Sequence, residues 1–207
     1  MTGGVASGKT TVSHILQEEG ACLIDADQIA RELVQPHTPT WNELIRVFGK
    51  EILEKDESIQ RKRLAAAVFS NPQQRSRLEG VLHPQIDREI DRRLEEIREK
   101  DPEAIVVVDA ALLVETGAYR RMDKLIVVTA THAQQIERLR NRTGATEQEA
   151  EGIISSQMPL EEKVKVADFV VPNEGSLEET RRRTKQILKE LKATARQKRS
   201  HRISKPC

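Results

Sequence analysis

The residues with the most specific chemistry stand at the very start of the chain. Gly3-Gly4-Val5-Ala6-Ser7-Gly8-Lys9-Thr10 satisfies the G-x-x-x-x-G-K-[ST] pattern, in which each position has a task in holding a triphosphate. Glycines let the backbone turn so that successive N–H groups face phosphate oxygens, and the helix that follows adds its positive end. Gly4, Ala6, Ser7, Gly8, Lys9, Thr10 and Thr11 are the residues expected to cradle the phosphates. Lys9 supplies a cation for the β and γ groups, and the Thr10 hydroxyl is a candidate Mg²⁺ ligand.

Carboxylates come next. Asp25 and Asp27 bracket Ala26 just after an apolar run. In extended geometry both project to one side, near the strand ends where open α/β sheets bind ligands. A carboxylate there can accept the proton of a substrate hydroxyl, orient that hydroxyl towards the γ phosphate, or hold Mg²⁺ through water. A plainer alternative is that Asp25 or Asp27 caps the helix beginning near Gln28. Asp109 closes a second apolar run, the place of a carboxylate that steadies the metal or simply ends a strand. Arg138 and Arg142 stand four apart on a predicted helix and share a face, with Arg140 elsewhere. Two guanidiniums on one face could close over a transferred phosphoryl group as a lid, or form a solvated face paired with acids such as Glu137.

These residues need elements to position them. Val12, Ile15 and Leu16 give a short helix ending at Gly20, followed by a buried strand over Ala21-Cys22-Leu23-Ile24. Ala104 to Val108, Leu125 to Val128 and Phe169 to Val171 have the continuous, β-branched character of strands covered on both faces. They alternate with helical stretches over 133–142 and 177–195. The expected fold is therefore α/β, a three-layer α/β/α P-loop architecture with a mostly parallel sheet and a helical lid over about 138–160. Residues 1–27 and 101–195 form its core. Residues 28–100 show amphipathic helical patterns with no convincing strand and read as a helical insertion, punctuated by Pro72 and Pro84. A basic tail, 196–207, reads as a frayed end.

One part is missing from this plan. A buried strand should feed the phosphate loop, yet only Met1 and Thr2 precede Gly3, so the sheet is expected to lack its first strand. Either the natural protein begins upstream of Met1, the favoured reading, or a truncated chain holds its loop without an anchor.

The composition fits this plan. The 207 residues carry 34 basic and 33 acidic side chains, a formal net charge of +1, which argues against nucleic-acid binding as the main activity. No apolar run approaches the roughly 20 residues of a membrane span, no secretory leader is evident, and Cys22 and Cys207 make neither a metal spacing nor a disulfide framework. A cytoplasmic monomer or small homo-oligomer acting on small molecules is the expectation.

Taken together, the residues resemble the dephospho-CoA kinase family. Thr2 to Thr11 is similar to the family's phosphate loop, and Ile24-Asp25-Ala26-Asp27 with Ile29-Ala30-Arg31 to its next motif. Phe48-Gly49, Arg61 with Leu64 and Phe69, Leu78-Glu79 through His83-Pro84, Leu112-Leu113-Val114-Glu115, the Arg138 and Arg142 pair, Gln157, and Ala167-Asp168 with Asn173 and Gly175 follow in family order. Departures are Gln60 before Arg61, Ala111 where a proline is usual, and Ile153 where many members carry arginine. The resemblance implies transfer of the ATP γ phosphate to the ribose 3′-hydroxyl of dephospho-CoA, with Mg²⁺. Asp27 would be the base with Asp25 supporting it, and Lys9, Arg138 and Arg142 would act on the phosphates. Asn173 and Gly175 would lie by the adenine, Arg31, Arg61, His83 and Leu113 would contact the acceptor, and Thr10 and Asp109 would hold the metal. A nucleoside or nucleotide kinase of the same fold, a regulatory GTPase and an inactive nucleotide binder are the alternatives. The absence of an Asn-Lys-x-Asp run weighs against the GTPase.

Overall fold

A computed structural model describes residues 1–69 and 71–203. The chain divides into two compact units, Met1–Ile24 with Asp101–Cys207, and Asp25–Lys100.

The first unit is built on short parallel strands. Strand β1 (Thr2–Gly3) precedes helix α1 (Lys9–Glu18) and strand β2 (Cys22–Asp25). After the second unit come β3 (Val106–Asp109), β4 (Ile126–Thr129) and β5 (Phe169–Pro172). β4 lies between β1 and β5, parallel to both, with Thr2 opposite Val127 and Val127 opposite Val170. β2 pairs with β3. Met1 joins the two sets, because its amino group donates to Val108 O at 2.5 Å and its carbonyl accepts from Ala110 N at 3.1 Å. The strand order is thus β2-β3-β1-β4-β5, with β1 central and the phosphate loop at its carboxyl end, where strand order reverses and α/β sheets bind ligands.

The missing first strand is therefore corrected: its place is filled by a two-residue strand, extended by Met1, which is only 5% exposed. Burial pushes the Met1 amine down to about 5, against the attraction of Asp109.

Side chains alternate along β4 as a pleated strand requires. Ile126 and Val128 enter one cluster with Val12, Leu16, Val171, Ile187 and Leu188, while Val127 joins Leu113 and Leu125 in another. The first cluster is roofed by α1 and by α9 (Leu177–Ile203), and the second is backed by Leu160 and Val164 of α8 (Leu160–Lys165). Both faces of the sheet are covered, which accounts for the unbroken apolar runs in the sequence. Helix α9 runs on past Ala195 to Ile203, beyond the point where the sequence reading begins a frayed tail; residues 204–207 of that tail lie outside the described residues.

The second unit is helical: α2 (Ala26–Leu33), α3 (Pro39–Phe48), α4 (Arg61–Phe69) and α5 (Pro72–Lys100). Thr38 caps α3 by accepting from Trp41 N at 3.2 Å, and Pro39 takes the first-turn position that needs no N–H donor. Leu44, Phe48 and Ile52 form its core, flanked by Leu64, Leu78 and Leu82. α5 continues through Pro84 as one helix. The remaining helices, α6 (His132–Thr143) and α7 (Glu147–Ser155), belong to the first unit, each opened by a capping box at Thr131 and Thr146.

Candidate active site

The phosphate loop turns through two left-handed residues, Ala6 at φ 55° and Gly8 at φ 92°. Gly8 is obligatory on two counts. Its φ disfavours any Cβ, and a Cβ there would lie 1.9 Å from Asn173 Nδ2. The loop closes on itself through Ser7 N–H to Gly4 O at 3.1 Å. Among the described residues no acceptor takes the N–H groups of Ala6, Gly8, Lys9 or Thr10, so four donors gather at the start of α1, whose dipole adds positive potential. That is the makeup of an anion cradle.

Behind the cradle, Lys9 Nζ lies 3.3 Å from Asp109 Oδ1, and Asp109 Oδ2 accepts the Ser13 hydroxyl at 2.7 Å. Asp109 Oδ1 is buried and accepts no hydrogen bond, while Thr10 is exposed at the loop's end. Ser13, one turn beyond Lys9 on α1, is a contributor that the sequence reading missed; its spacing of four from Lys9 was the available signal.

Amide side chains from the far end of the sequence brace the loop. Gln135 Nε2 donates to Val5 O at 2.7 Å, Gln157 Oε1 accepts from Val5 N at 2.9 Å, and Asn173 Nδ2 donates to Ser7 O at 2.9 Å. Asn173 Oδ1 also accepts from Thr180 Oγ1 at 3.1 Å, so both polar ends of this side chain are engaged within the protein. Asn173 thus braces the loop. Gly175 follows it in the turn before α9, where a Cβ would meet Glu179 Oε2 at 2.3 Å.

Arg138 and Arg142 lie together on α6 but in different surroundings. Arg138 Nη2 donates to Asn173 O at 2.9 Å and its Nη1 is buried without a hydrogen-bond partner, 3.9 Å from where a Gly8 Cβ would stand. Arg142 is exposed, and Arg140 reaches Glu147 at 3.7 Å. Arg138 therefore belongs to the wall of the cradle.

The segment after Asp109 is fastened by a lysine that sequence reasoning passed over. Lys163 on α8 is fully buried, donates to Ala111 O at 3.1 Å and pairs with Glu115 Oε1 at 2.6 Å. Ala111 O also accepts from Thr2 Oγ1 at 2.9 Å. Leu113, expected at the acceptor, is only 4% exposed and packs with Leu125 and Val127. That expectation is corrected, since the chain turns Leu113 into the core and leaves Leu112 as the exposed neighbour. Asp168 accepts from Leu125 N at 2.8 Å and Lys124 Nζ at 2.7 Å. Burial works to raise its pKa, but these hydrogen bonds outweigh it and hold the carboxyl below its usual range.

In the second unit, the acidic pair is not extended as the sequence suggested. Asp25 is the N-cap of α2, accepting from Gln28 N at 2.9 Å, while Asp27 lies in the first turn and is exposed. A helix-capping hydrogen bond thus occupies one oxygen of Asp25, which accounts for that residue without catalysis. Arg31 sits in the last turn of α2, Arg61 opens α4, and His83 is half-buried on α5.

The family model for dephospho-CoA kinase matches residues 1–179. The chain belongs to the dephospho-CoA kinase family. A dephospho-CoA kinase of Geobacter metallireducens is 45% identical over 190 residues, covering 92% of this chain and 94% of that protein. One from Bacillus cereus is 42% identical over 189 residues, covering 91% and 94%. Among solved structures, a Thermus thermophilus protein aligns with a TM-score of 0.80 at 33% identity over 92% of this chain and 95% of its own. Dephospho-CoA kinase from Campylobacter jejuni aligns with a TM-score of 0.68 at 29% identity, over 93% and 96%. Family membership accounts for the cradle and favours a kinase over a regulatory GTPase or an inactive binder.

Proposed function

We propose that the protein transfers the γ phosphate of ATP to the ribose 3′-hydroxyl of dephospho-CoA, giving CoA and ADP, the last step of coenzyme A synthesis. The observation that carries this reading is the cradle of free N–H donors beside Lys9 in a chain that matches dephospho-CoA kinases along more than nine-tenths of both lengths.

The loop's N–H groups bind the phosphates, and Lys9 exchanges its contact with Asp109 for the β and γ oxygens. The unpartnered Nη1 of Arg138 donates to the nucleotide at the Gly8 turn, and Arg142 closes from the exposed end of α6. Asp27 accepts the acceptor hydroxyl's proton, with Asp25 setting the start of the helix that carries it. Arg31, Arg61 and His83 contact the acceptor. Thr10 and Asp109 Oδ1 are hard oxygen donors of the kind Mg²⁺ takes alongside nucleotide phosphates, so they fit that ion, which when bound neutralises charge on the transferred group. Among the described residues no group of three or more His, Cys, Asp and Glu side chains is placed to hold a metal ion. Among these residues no helix is long and apolar enough to cross a membrane, and the proposed setting is the cytoplasm.

The test is ATP turnover against a panel of dephospho-CoA, nucleosides and nucleoside monophosphates. Turnover with dephospho-CoA well above the ATP background is expected; turnover with a nucleoside or nucleotide alone would move the protein to another acceptor.

A further inference from the structure

The two glutamines on Val5 bear on the orientation of the loop. A trans peptide points its C=O and N–H in opposite directions, and the chain has no cis peptide bonds. Gln135 takes Val5 O at 2.7 Å, so the N–H of the same peptide, that of Ala6, is turned away from Gln135. It has no acceptor among the described residues. The preceding peptide is held the other way round: its N–H, on Val5, goes to Gln157 Oε1 at 2.9 Å, and its C=O, on Gly4, accepts from Ser7 N at 3.1 Å. Consecutive peptides are thus locked in opposite senses, with side chains distant in sequence on both.

Ala6 shows why a lock is needed. Its φ of 55° lies in the left-handed region, which L-residues other than glycine avoid. A flip of the Val5–Ala6 peptide would return Ala6 to negative φ and swing its N–H to the opposite side. The hydrogen bond from Gln135, a residue only 5% exposed and packed so closely over the loop that a Cβ at Gly4 would lie 2.4 Å from its amide nitrogen, opposes that flip.

We propose that Gln135 is a positioning residue for phosphoryl transfer: it holds the Val5–Ala6 peptide in its strained sense and so presents the Ala6 N–H to the nucleotide's phosphates, with Gln157 fixing the peptide before it. This rests on the reading of the loop as the ATP site.

The experiment is a double-mutant cycle between Gln135→Met and Ala6→Gly, read by calorimetric binding of ADP and by the KM for ATP. Glycine is indifferent to the sign of φ, so in the Ala6→Gly chain the flip gains little and the lock matters less. Gln135→Met alone is expected to weaken ADP binding and raise the KM for ATP about tenfold, the scale of one hydrogen bond plus the left-handed preference. Added to Ala6→Gly, the same substitution is expected to cost about threefold or less. Equal losses in both backgrounds would make Gln135 an ordinary structural contact and overturn the proposal. Should Gln135→Met fail to fold by circular dichroism, Gln135→Glu replaces it in the cycle, since a carboxylate of the same length cannot donate to Val5 O at neutral pH. Failure of the wild-type protein to bind ADP would instead defeat the underlying ATP-site reading.

Discussion

The phosphate loop and the acidic pair are both short motifs near the start of the chain, yet they are held by opposite means. Asp25 is fixed by Gln28, three residues away, and α3 is capped by Thr38 on Trp41 at the same spacing. The loop is fixed by Gln135, Gln157 and Asn173, which stand 130, 152 and 166 residues from the groups they bind. The charges divide similarly. The helical unit's ion pairs are mostly local and exposed, such as Arg46 with Glu43 and Arg92 with Glu96, whereas Lys163 and Glu115 pair inside the sheet unit across the sequence. Where a short strand gives the loop little support, side chains from α6, from the turn between α7 and α8 and from the residue after β5 supply it. The helical unit can be perturbed locally with local consequences; the loop cannot.

The sharpest way to break this contrast is Gly8→Ala. One methyl group would sit 1.9 Å from Asn173 Nδ2 in a backbone conformation that disfavours any Cβ, so the clash reaches the loop and its brace together. ATP use, as kcat/KM, is expected to fall by roughly a thousandfold or more, the scale of losing a phosphate-positioning element. A variant with near wild-type kinetics would show that Asn173 can withdraw freely and is no brace.

Lys163→Met comes next. Removing one partner of a buried ion pair leaves the other charge uncompensated, typically a loss of about 3–5 kcal/mol; both Glu115 carboxylate oxygens are buried, so the loss is expected within that range. Glu115→Gln in the same chain should recover part of it, and Glu43→Gln on the exposed pair in the helical unit should cost less than about 0.5 kcal/mol. Denaturant titration of the three variants checks the ranking, and equal losses from the buried and exposed pairs would erase the distinction between the units.

Asp27→Asn tests the other side of the comparison, where the proposed base stands in the first turn of a locally capped helix. It is expected to lower kcat by about a hundredfold, on general-base magnitudes, while ADP affinity stays close to wild type. Asp25→Asn should have a smaller kinetic effect and leave stability close to wild type, because asparagine caps helices about as well as aspartate. An unchanged kcat in Asp27→Asn would transfer the base to another group.

The same division decides what could be read from sequence. The phosphate loop, the strand character of 125–128 and the helix over 133–142 are local patterns, and the structure shows the loop and the two elements with small shifts at their ends. The three-layer arrangement was legible because strands covered on both faces need not alternate in hydrophobicity. Asp25 and Asp27 were misplaced as an extended pair because the helix begins at Ala26, a boundary that only the capping bond fixes. Leu113 was assigned to the acceptor because sequence does not say which of two adjacent leucines faces the core. Gln135 and Lys163 were missed for a different reason: a glutamine on an amphipathic helix and a lysine among charges look solvated. Only tertiary packing turns them towards a backbone carbonyl. The first strand, read as absent, is present as two residues, since a pairing of Thr2 with Val127 leaves no pattern in so short a stretch.

The smallest expected effect mirrors the largest. Gly80 lies within α5, and a Cβ built there meets nothing within 4 Å. Glycine in a helix interior costs about 1 kcal/mol relative to alanine through backbone entropy. Gly80→Ala should therefore stabilise the helical unit by up to about 1 kcal/mol, visible as a higher denaturant midpoint with an unchanged slope. Because the substitution adds a methyl group to open space, acceptor KM should rise only if substrate itself passes over that face of α5. A raised KM with the stability gain intact would thus place Gly80 against the acceptor, and a destabilised protein would show that the helical unit, too, depends on close packing at its glycines.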